Sequence, residues 1–225
     1  MLLFDIDGTL LLTGGAGKIA FEKAFEELFS VRQAWGNVRP DGKTDPVIIE
    51  EIVVNSLKRP LKDSEYKQLC LRYLLHFENE LKIIERFQLM PGVIPLLNRL
   101  TLSPNYVLGI ATGNFEQAAH LKLKRGELSH FFCFGGYGSD SHNRRELTRI
   151  AVQRGLDFVR EPLDEKNIFI IGDTVHDIEA GKTVGAQVIA VATGSTSKEE
   201  LVDHQPNYLL DNFVDIRKFI EIISS

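Results

Sequence analysis

The sequence of 225 residues has little cysteine and no long apolar segment. Its two cysteines, Cys70 and Cys133, are far apart and form no CxxC pair, which predicts two buried, reduced thiols. No apolar run approaches the roughly 20 residues that a membrane-spanning helix needs. The stretch before the first charge, at Asp5, is too short for the apolar core of a signal peptide. We therefore expect a cytoplasmic protein with no membrane partner.

Positive charge is also in short supply. The chain has 26 Lys and Arg against 31 Asp and Glu, a formal net charge of −5, with 44% apolar residues as in ordinary globular proteins. Nucleic acid would be repelled in the absence of a basic patch, so we expect no nucleic-acid partner. The basic cluster consists of Lys122, Lys124 and Arg125. We interpret it as the end of a helix, where positive charge complements the helix dipole.

Short apolar runs of β type alternate with helical patterns along most of the chain. The predicted strands are residues 2–4, 107–111, 131–134, 168–171, 188–192 and 208–210. Helical apolar stripes occupy residues 93–100, 147–155 and 213–223, the first opened by Pro91-Gly92 and the second ended by Gly155. Such alternation favours an α/β protein with a doubly wound parallel sheet and helices on both of its faces.

Residues 14–86 break this alternation, because they contain helical patterns and no convincing strand. The second of three amphipathic patterns begins at Asp45, the expected N-cap, with Pro46 behind it. We interpret this segment as a small helical cap domain inserted after the first strand. Residues 1–13 and 87–225 would then form the α/β core domain.

Two carboxylates follow the first predicted strand, in Phe4-Asp5-Ile6-Asp7-Gly8. Residues at i and i+2 of an extended chain point the same way, so Asp5 and Asp7 would repel each other. A divalent cation would remove that repulsion, and Mg²⁺ prefers carboxylate oxygens. Taken alone, the segment is equally compatible with an Asp-Gly turn that closes a strand.

Polar residues also follow two later strands. Thr112-Gly113-Asn114 offers a hydroxyl and backbone amides that suit phosphate oxygens, and Asp173 and Asp177 add two more carboxylates. In a parallel sheet the carboxyl ends of the strands face one edge, where ligands bind beside the switch in strand order. We therefore expect these residues to converge with Asp5 and Asp7 on a single crevice.

In order and spacing, these segments resemble motifs I, II and IV of the haloacid dehalogenase-like hydrolases. The matching segments are Asp5-Ile6-Asp7-Gly8-Thr9, Thr112-Gly113-Asn114 and Gly172-Asp173-Thr174-Val175-His176-Asp177. The resemblance spans nearly the whole chain, and the helical insert corresponds to the cap that this superfamily carries between motifs I and II. It implies a phosphatase similar to the phosphoglycolate phosphatases, with Mg²⁺ as cofactor and a small phosphate ester as substrate.

The resemblance also implies a role for each matching residue. Asp5 would be the nucleophile that forms a phosphoaspartyl intermediate, and Asp7 the general acid and base. Asp5, the backbone carbonyl of Asp7, and Asp173 would hold the metal. Asp177 would complete the metal's surroundings through water or by orienting a neighbour. The phosphoryl group would be bound by Thr112, Gly113 and Asn114.

The family's third motif is usually a lysine that precedes a helix, and this sequence departs from that pattern. No lysine lies between Phe134 and Leu147, where the chain has Arg144-Arg145. We place Arg144 at the lysine's position as a phosphate-binding group, since arginine keeps its charge and offers two donors. The sequence leaves open which of Arg144 and Arg145 points inward.

Two other functions remain open on sequence grounds. One is a sugar-phosphate mutase similar to the β-phosphoglucomutases, and the other is a phosphate-sensing or scaffolding protein with little turnover. Haloacid dehalogenation is disfavoured, because that reaction has no leaving oxygen for Asp7 to protonate. We expect a monomer or a homodimer.

Overall fold

A computed structural model describes residues 1–160 and 163–224 and contains a six-stranded, all-parallel sheet. The described residues form eight strands, six of which belong to this sheet: β1 (Leu2–Phe4), β2 (Leu11–Leu12), β3 (Gln88–Leu89), β4 (Leu108–Ala111), β5 (Phe134–Gly136), β6 (Phe169–Gly172), β7 (Gln187–Val191) and β8 (Tyr208–Leu210). The order across the sheet is β5-β4-β1-β6-β7-β8, while β2 and β3 form a separate antiparallel pair. The α/β fold with a doubly wound parallel sheet is confirmed.

Helices precede, separate and follow the strands of the sheet. Within the described residues they are α1 (Ala16–Phe29), α2 (Asp45–Leu57), α3 (Asp63–Ile83), α4 (Val93–Thr101), α5 (Glu116–Arg125), α6 (Arg144–Val159), α7 (Val175–Thr183), α8 (Lys198–Asp203) and α9 (Ile216–Ile223). Two short 3₁₀ helices lie at Ser129–Phe131 and Glu165–Asn167. None of the described helices is both long enough and apolar enough to cross a bilayer.

Strand β1 lies at the centre of the sheet, paired in parallel with β4 on one side and β6 on the other. Its three apolar side chains are fully buried, as expected for a strand covered by helices on both faces. The chain builds β4 and β5 on one side of β1 before it crosses to β6, so the strand order reverses at β1. Residues that follow β1, β4 and β6 therefore meet at one edge, beside this reversal.

Aromatic side chains anchor the C-terminal part of the chain to β1. The ring of Phe4 lies 6.3 Å from that of Phe213 and 6.4 Å from that of Phe219, and the last two rings meet edge-on at 5.8 Å. All three are fully buried. This cluster holds β1 in a fixed position, and therefore also positions the residues that follow β1.

The segment between β2 and β3 carries helices α1, α2 and α3, which pack around an apolar cluster of their own. Helix α1 packs against α3, where the rings of Phe21 and Tyr73 stack at 3.8 Å. The chain enters and leaves this segment through the β2–β3 pair, in which Leu11 lies opposite Leu89. The helical nature of the segment agrees with the sequence, whereas its exact boundaries as a domain stay a prediction.

The third strand of the sheet differs from the sequence-based prediction. Residues 131–134 were expected as a strand, but β5 runs from Phe134 to Gly136 and is preceded by a 3₁₀ helix. Glycine weakens a strand in general, which hides β5 in the sequence. Here it is required, because a Cβ on Gly136 would lie 2.2 Å from the backbone oxygen of Leu147 in α6. Close helix–strand packing therefore outweighs β propensity.

Three helix boundaries also differ, and one of them is the start of the last helix, which was predicted at residue 213 and lies at Ile216. Helix α6 continues through Gly155 to Val159, and a Cβ on Gly155 would lie 2.6 Å from the sulfur of Met1, so this glycine permits close packing and does not end the helix. Asp45 is the first residue of α2, and the N-cap is Thr44.

The cysteine prediction is wrong in part. Both thiols are free, but Cys133 is exposed and Cys70 is only partly buried. The displacement of β5 leaves Cys133 just before the strand, at the edge of the sheet, where little covers it.

The aromatic cluster predicts that Phe213 contributes far more to the free energy of unfolding than its neighbour Val214. Phe213→Ala should lower the free energy of unfolding by about 3–5 kcal/mol, because it replaces two aromatic contacts with a cavity. Val214→Ala is the matched control, since the adjacent Val214 is 65% exposed, and should change the same free energy by less than about 0.5 kcal/mol. Urea unfolding of the three proteins measures both values. Equal losses in the two variants would contradict the assignment of Phe213 to the core.

Candidate active site

Three carboxylates meet where β1 and β6 end. Asp5 follows β1, Asp173 follows β6, and Asp177 lies in the first turn of α7. Each offers an oxygen within 4.8 Å of the oxygens offered by the other two, and all three residues are buried. The convergence that the sequence predicts is therefore present in the structure.

Glycine makes this close approach possible. Gly8 has φ 79°, in the left-handed region that favours glycine, and a Cβ there would lie 2.3 Å from Oδ2 of Asp173. Gly194, in the loop after β7, is as close, since a Cβ on it would lie 1.7 Å from the same oxygen. The hydroxyl of Thr9 donates a hydrogen bond of 2.8 Å to the other oxygen, Oδ1. Asp173 is thus enclosed by the loops after β1 and β7.

Arg144 is the positive charge nearest to this cluster. It is the first residue of α6, and its Nη2 lies 2.5 Å from Oδ1 of Asp177 and 3.0 Å from Oδ1 of Asp5. The side chain of Arg144 is 8% exposed. Arg145 instead pairs with Glu179 on the surface, at 3.0 Å. The structure thus directs Arg144, and not Arg145, toward the carboxylates.

Asp177 is held mainly by its own helix. Its Oδ2 accepts hydrogen bonds from the hydroxyl of Thr174 at 2.7 Å and from the backbone N–H of Thr174 at 3.1 Å, which forms a capping box. Its Oδ1 accepts both bonds from Arg144. Because both oxygens are already engaged, the carboxylate of Asp177 is placed to orient Arg144.

The cluster has more negative charge than its protein partners neutralise. Burial raises the pKa of Asp5 to about 6, with Arg144 opposing this effect and Asp177 adding to it. Burial, together with the charges of Asp5 and Asp177, raises the pKa of Asp173 well above its ordinary value. Burial alone would lower the pKa of Arg144, but the carboxylates of Asp177 and Asp5 outweigh it and raise that pKa. Arg144 is therefore permanently charged.

The residues present suit a divalent cation. Three carboxylates and one guanidinium leave two negative charges uncompensated when all are ionised. Oδ1 of Asp5 is buried and accepts no hydrogen bond from any described residue, its neighbour Arg144 lying outside hydrogen-bond geometry. Buried polar atoms without a partner are rare, and carboxylate oxygens are the ligands that Mg²⁺ prefers.

Asp7 points away from this cluster, toward α5. Its Oδ2 accepts hydrogen bonds of 2.7 Å from Nδ2 of Asn114 and 2.6 Å from Nζ of Lys122. Nδ2 of Asn114 also donates to Oγ1 of Thr112 at 2.7 Å, and Lys122 donates a further bond to Oδ1 of Asn114. The side chain of Asn114 is therefore fully occupied by protein groups.

Lys122 is the residue of this site that sequence reasoning missed. The basic cluster was interpreted as the end of a helix, and all three residues do lie in the last turn of α5. That interpretation gave Lys122 no part in the site, although its side chain is only 7% exposed, whereas Lys124 and Arg125 are exposed. Helical spacing held the missing signal, since Lys122 shares a face of α5 with the buried Ala118 and Ala119.

The start of α2 covers part of the site and is hydrogen-bonded to the core. The backbone N–H of Asp45 donates to the carbonyl of Gly113 at 2.8 Å, and Oδ2 of Asp45 accepts from the N–H of Phe115 at 2.7 Å. The hydroxyl of Thr44 donates to the carbonyl of His142 at 3.0 Å. Gly113 must lack a side chain here, because a Cβ on it would lie 2.3 Å from the carbonyl oxygen of Lys43.

A cavity of about 430 Å³ lies between the sheet edge and the helical segment. Its floor consists of Asp5, Asp7, Thr112, Gly113, Asn114, Lys122, Arg144 and Asp173. Its opposite wall combines apolar side chains with charged ones, and includes Phe21, Trp35, Ile48, Tyr73, Lys18, Asp41, Lys43 and Asp45. Every site residue predicted from the sequence, apart from Asp177, therefore lines one cavity of the size that holds small ligands.

A family model described as "Haloacid dehalogenase-like hydrolase" matches residues 2–191 of the chain. The pyrophosphatase PpaX of Bacillus mycoides is 22% identical, over 99% of this chain and 97% of that protein. A phosphoglycolate phosphatase of Aquifex aeolicus is 25% identical, over 98% of this chain and 96% of that protein.

Among solved structures, a predicted phosphoglycolate phosphatase from Haemophilus somnus has a similar fold, with a TM-score of 0.76. It is 20% identical, and the match covers 98% of this chain and 97% of that one. The whole chain, with the helical insert included, therefore follows a known architecture.

Asp45 predicts a pH-dependent difference in stability. Burial raises the pKa of Asp45 to about 6, against the opposing charge of Lys122 and the hydrogen bond from Phe115. Between pH 4 and 6 the folded protein therefore holds a proton that the unfolded chain releases, so this carboxyl makes the protein less stable as the pH rises. Asp45→Asn removes the effect. Between pH 4 and pH 7, its free energy of unfolding should therefore increase relative to that of the wild type by on the order of 3 kcal/mol.

Urea unfolding at the two pH values measures this gain. Asp63→Asn is the matched control, because Asp63 is the exposed first residue of α3. An equal gain in Asp63→Asn, or no gain in Asp45→Asn, would contradict a role for the burial of Asp45.

Proposed function

The chain belongs to the haloacid dehalogenase-like hydrolase family, and we propose that it is a phosphatase that hydrolyses a small phosphorylated metabolite. The observation that carries this proposal is the position of Asp5, a buried carboxylate on the floor of the cavity, one oxygen of which accepts no hydrogen bond from the described residues. Arg144 lies beside it, and Asp7 follows two residues later. The relatives named phosphoglycolate phosphatase and pyrophosphatase support the same class of reaction.

Asp5 is the proposed nucleophile of the first step. A carboxylate oxygen of Asp5 forms a bond to phosphorus while the bond between phosphorus and the ester oxygen breaks. The leaving oxygen takes a proton from the carboxyl of Asp7 and departs as an alcohol. The products are a phosphoaspartyl group on residue 5 and an ionised Asp7.

The second step reverses the role of Asp7. Its carboxylate accepts a proton from a water molecule as that water attacks phosphorus, and the bond between phosphorus and the Asp5 oxygen breaks. Inorganic phosphate leaves, Asp5 is again a carboxylate, and Asp7 is again protonated. Ester and water are thus converted into alcohol and phosphate with both aspartates restored.

We propose Mg²⁺ as the cofactor, held by Asp5, Asp173 and the backbone carbonyl of Asp7. When bound, it would neutralise the two uncompensated charges of the cluster and shield the carboxylate of Asp5 from the phosphate. Asp177 acts indirectly, since both of its oxygens already hold Arg144 and Thr174. Its part is to fix the direction of the guanidinium.

The phosphoryl group would lie between Arg144 and the loop that follows β4. Oγ1 of Thr112 accepts a bond from Asn114, so its own O–H is available to donate to a phosphate oxygen. The backbone amide of Gly113 is the second proposed donor. Asn114 was predicted to bind phosphate, but its amide is saturated by protein groups, and we now propose that it supports Asp7 and Thr112.

We propose that residues 14–86 act as a cap that closes over the substrate. The contacts of Thr44 and Asp45 with the core describe a closed arrangement, in which the leaving group would lie against Phe21, Trp35 and Tyr73. Closure excludes water other than the attacking molecule and strengthens the interactions of the charged floor.

The activity of Asp5 variants tests the function. Wild-type protein with Mg²⁺ should release phosphate from at least one member of a panel of phosphorylated metabolites, and from p-nitrophenyl phosphate. Asp5→Asn should lower kcat by at least about 1,000-fold, because without the nucleophile only binding and electrostatic contributions remain. Asp63→Asn serves as the control and should keep full activity. A wild-type protein without activity on the whole panel, or an active Asp5→Asn, would overturn the proposal.

Thermal unfolding tests the cation site independently of turnover. Mg²⁺ at 100 times its dissociation constant should stabilise the wild type by about 2.7 kcal/mol, which raises the melting temperature by several degrees. Asp173→Asn should lose this response, because it removes one ligand and one negative charge. Asp203→Asn, at the exposed end of α8, is the control and should respond like the wild type. An undiminished response in Asp173→Asn would place the cation elsewhere.

A further inference from the structure

Lys122 makes contacts that a helix-end charge does not need. Charge at the end of α5 is already supplied in solvent by Lys124 and Arg125. Lys122 instead sends its ammonium group inward to Oδ2 of Asp7 and Oδ1 of Asn114. Burial of a lysine is unfavourable unless its charge is paired and hydrogen-bonded, and Asp7 and Asn114 supply those partners.

The ammonium group fixes the direction of every hydrogen bond in this network. An ammonium can only donate, so the carbonyl oxygen of Asn114 must face Lys122 and its NH₂ must face Asp7 and Thr112. Oδ2 of Asp7 therefore accepts two bonds, one from Nζ of Lys122 and one from Nδ2 of Asn114.

A proton on Oδ2 of Asp7 would face both of these donors. It would have no acceptor there and would displace at least one hydrogen bond. Oδ1 of Asp7 receives no hydrogen bond from the described residues, and the side chain is 41% exposed toward the cavity. Oδ1 is therefore the oxygen on which Asp7 can carry a proton toward a ligand.

We propose that Lys122 is a positioning residue that, together with Asn114, restrains Asp7 through Oδ2 so that only Oδ1 exchanges a proton with the leaving group. This role rests on the proposed phosphatase reaction and adds to it. In the first step the proton moves from Oδ1 to the ester oxygen as the bond to phosphorus breaks. Oδ2 keeps its two bonds from Lys122 and Asn114 throughout.

The helical segment contributes to the surroundings of Lys122. Nζ lies 5.7 Å from the centre of the Phe77 ring in α3, and the carboxylate of Asp45 is an additional charge near it. Phe77 is fully buried, so the closed segment excludes water from this side of the ammonium group. An ion pair is stronger when water is excluded, and closure of the segment would therefore tighten the hold on Asp7.

The values of kcat/KM on two phosphate esters distinguish this positioning role of Lys122 from a general structural role. The leaving group of benzyl phosphate is an alkoxide that needs a proton, whereas p-nitrophenolate departs without one. The value of kcat/KM covers only the steps up to formation of the phosphoenzyme, so the ratio of kcat/KM for the two esters reports proton donation by Asp7. Loss of folding, of cation binding or of phosphate binding would lower both values alike.

Lys122→Met removes the charge and keeps most of the apolar stem. We expect it to lower kcat/KM for benzyl phosphate at least ~10-fold more than for p-nitrophenyl phosphate, since general acid catalysis contributes ~10²–10⁴-fold. Lys124→Met, two residues along the same helix and exposed, is the matched control and should keep the wild-type ratio. Equal losses on both esters would overturn the role of Lys122 while leaving the phosphatase function intact. A wild type inactive on both esters and on the whole metabolite panel would overturn the proposed function itself.

A second variant guards against failure to fold. If Lys122→Met shows no cooperative thermal unfolding, Lys122→Gln is measured on the same two esters, because a neutral amide can still bond to Asn114. The selective loss on benzyl phosphate should persist in this variant. A folded Lys122→Gln that keeps the wild-type ratio would overturn the proposal.

Discussion

The arrangement of the candidate site depends on the burial of three carboxylates at a single point. The three carboxylates belong to Asp5, Asp173 and Asp177, and their like charges repel one another, so the fold must hold them together. Glycines at positions 8 and 194 allow the loops to approach Asp173, and Arg144 supplies a guanidinium in contact with Asp5 and Asp177. Protein folding alone gains nothing from such repulsion, which raises the pKa values of Asp5 and Asp173. The repulsion becomes useful once a cation and a phosphate share the site, because their charges complete a set that the protein leaves incomplete.

A second polar network lies beside the first and differs from it in character. Asp7, Asn114, Thr112 and Lys122 form a set of hydrogen bonds in which the direction of each bond is fixed by the ammonium group. The three-carboxylate cluster suits the electrostatic side of phosphoryl transfer, and this network suits proton movement. Only Ile6 separates Asp5 from Asp7, yet their side chains face different partners. One short turn after β1 therefore gives two nearby carboxylates different surroundings, which suits the two tasks proposed for them.

Much of this arrangement could be predicted from the sequence, and the omissions have physical causes. Carboxylates that follow apolar strands are visible in the sequence because parallel strands end at a common edge, which is why Asp5, Asp7 and Asp173 were found. Strand β5 was displaced by a few residues because its glycines serve packing against α6, a tertiary requirement that local propensity does not record. Lys122 was missed because a lysine near the end of a helix normally lies in solvent. The choice between Arg144 and Arg145 depends on the direction of the first turn of α6, which adjacent identical residues cannot reveal.

The antiparallel pair of β2 and β3 has a consequence for how the molecule can vary. Both crossings between the sheet and the helical segment lie side by side, with Leu11 opposite Leu89. Whatever lies between them leaves and rejoins the core at one place, and the strand order is untouched by its size or shape. Such a junction lets the helical segment be lengthened, shortened or exchanged over generations, while the sheet and the residues at its edge keep their geometry.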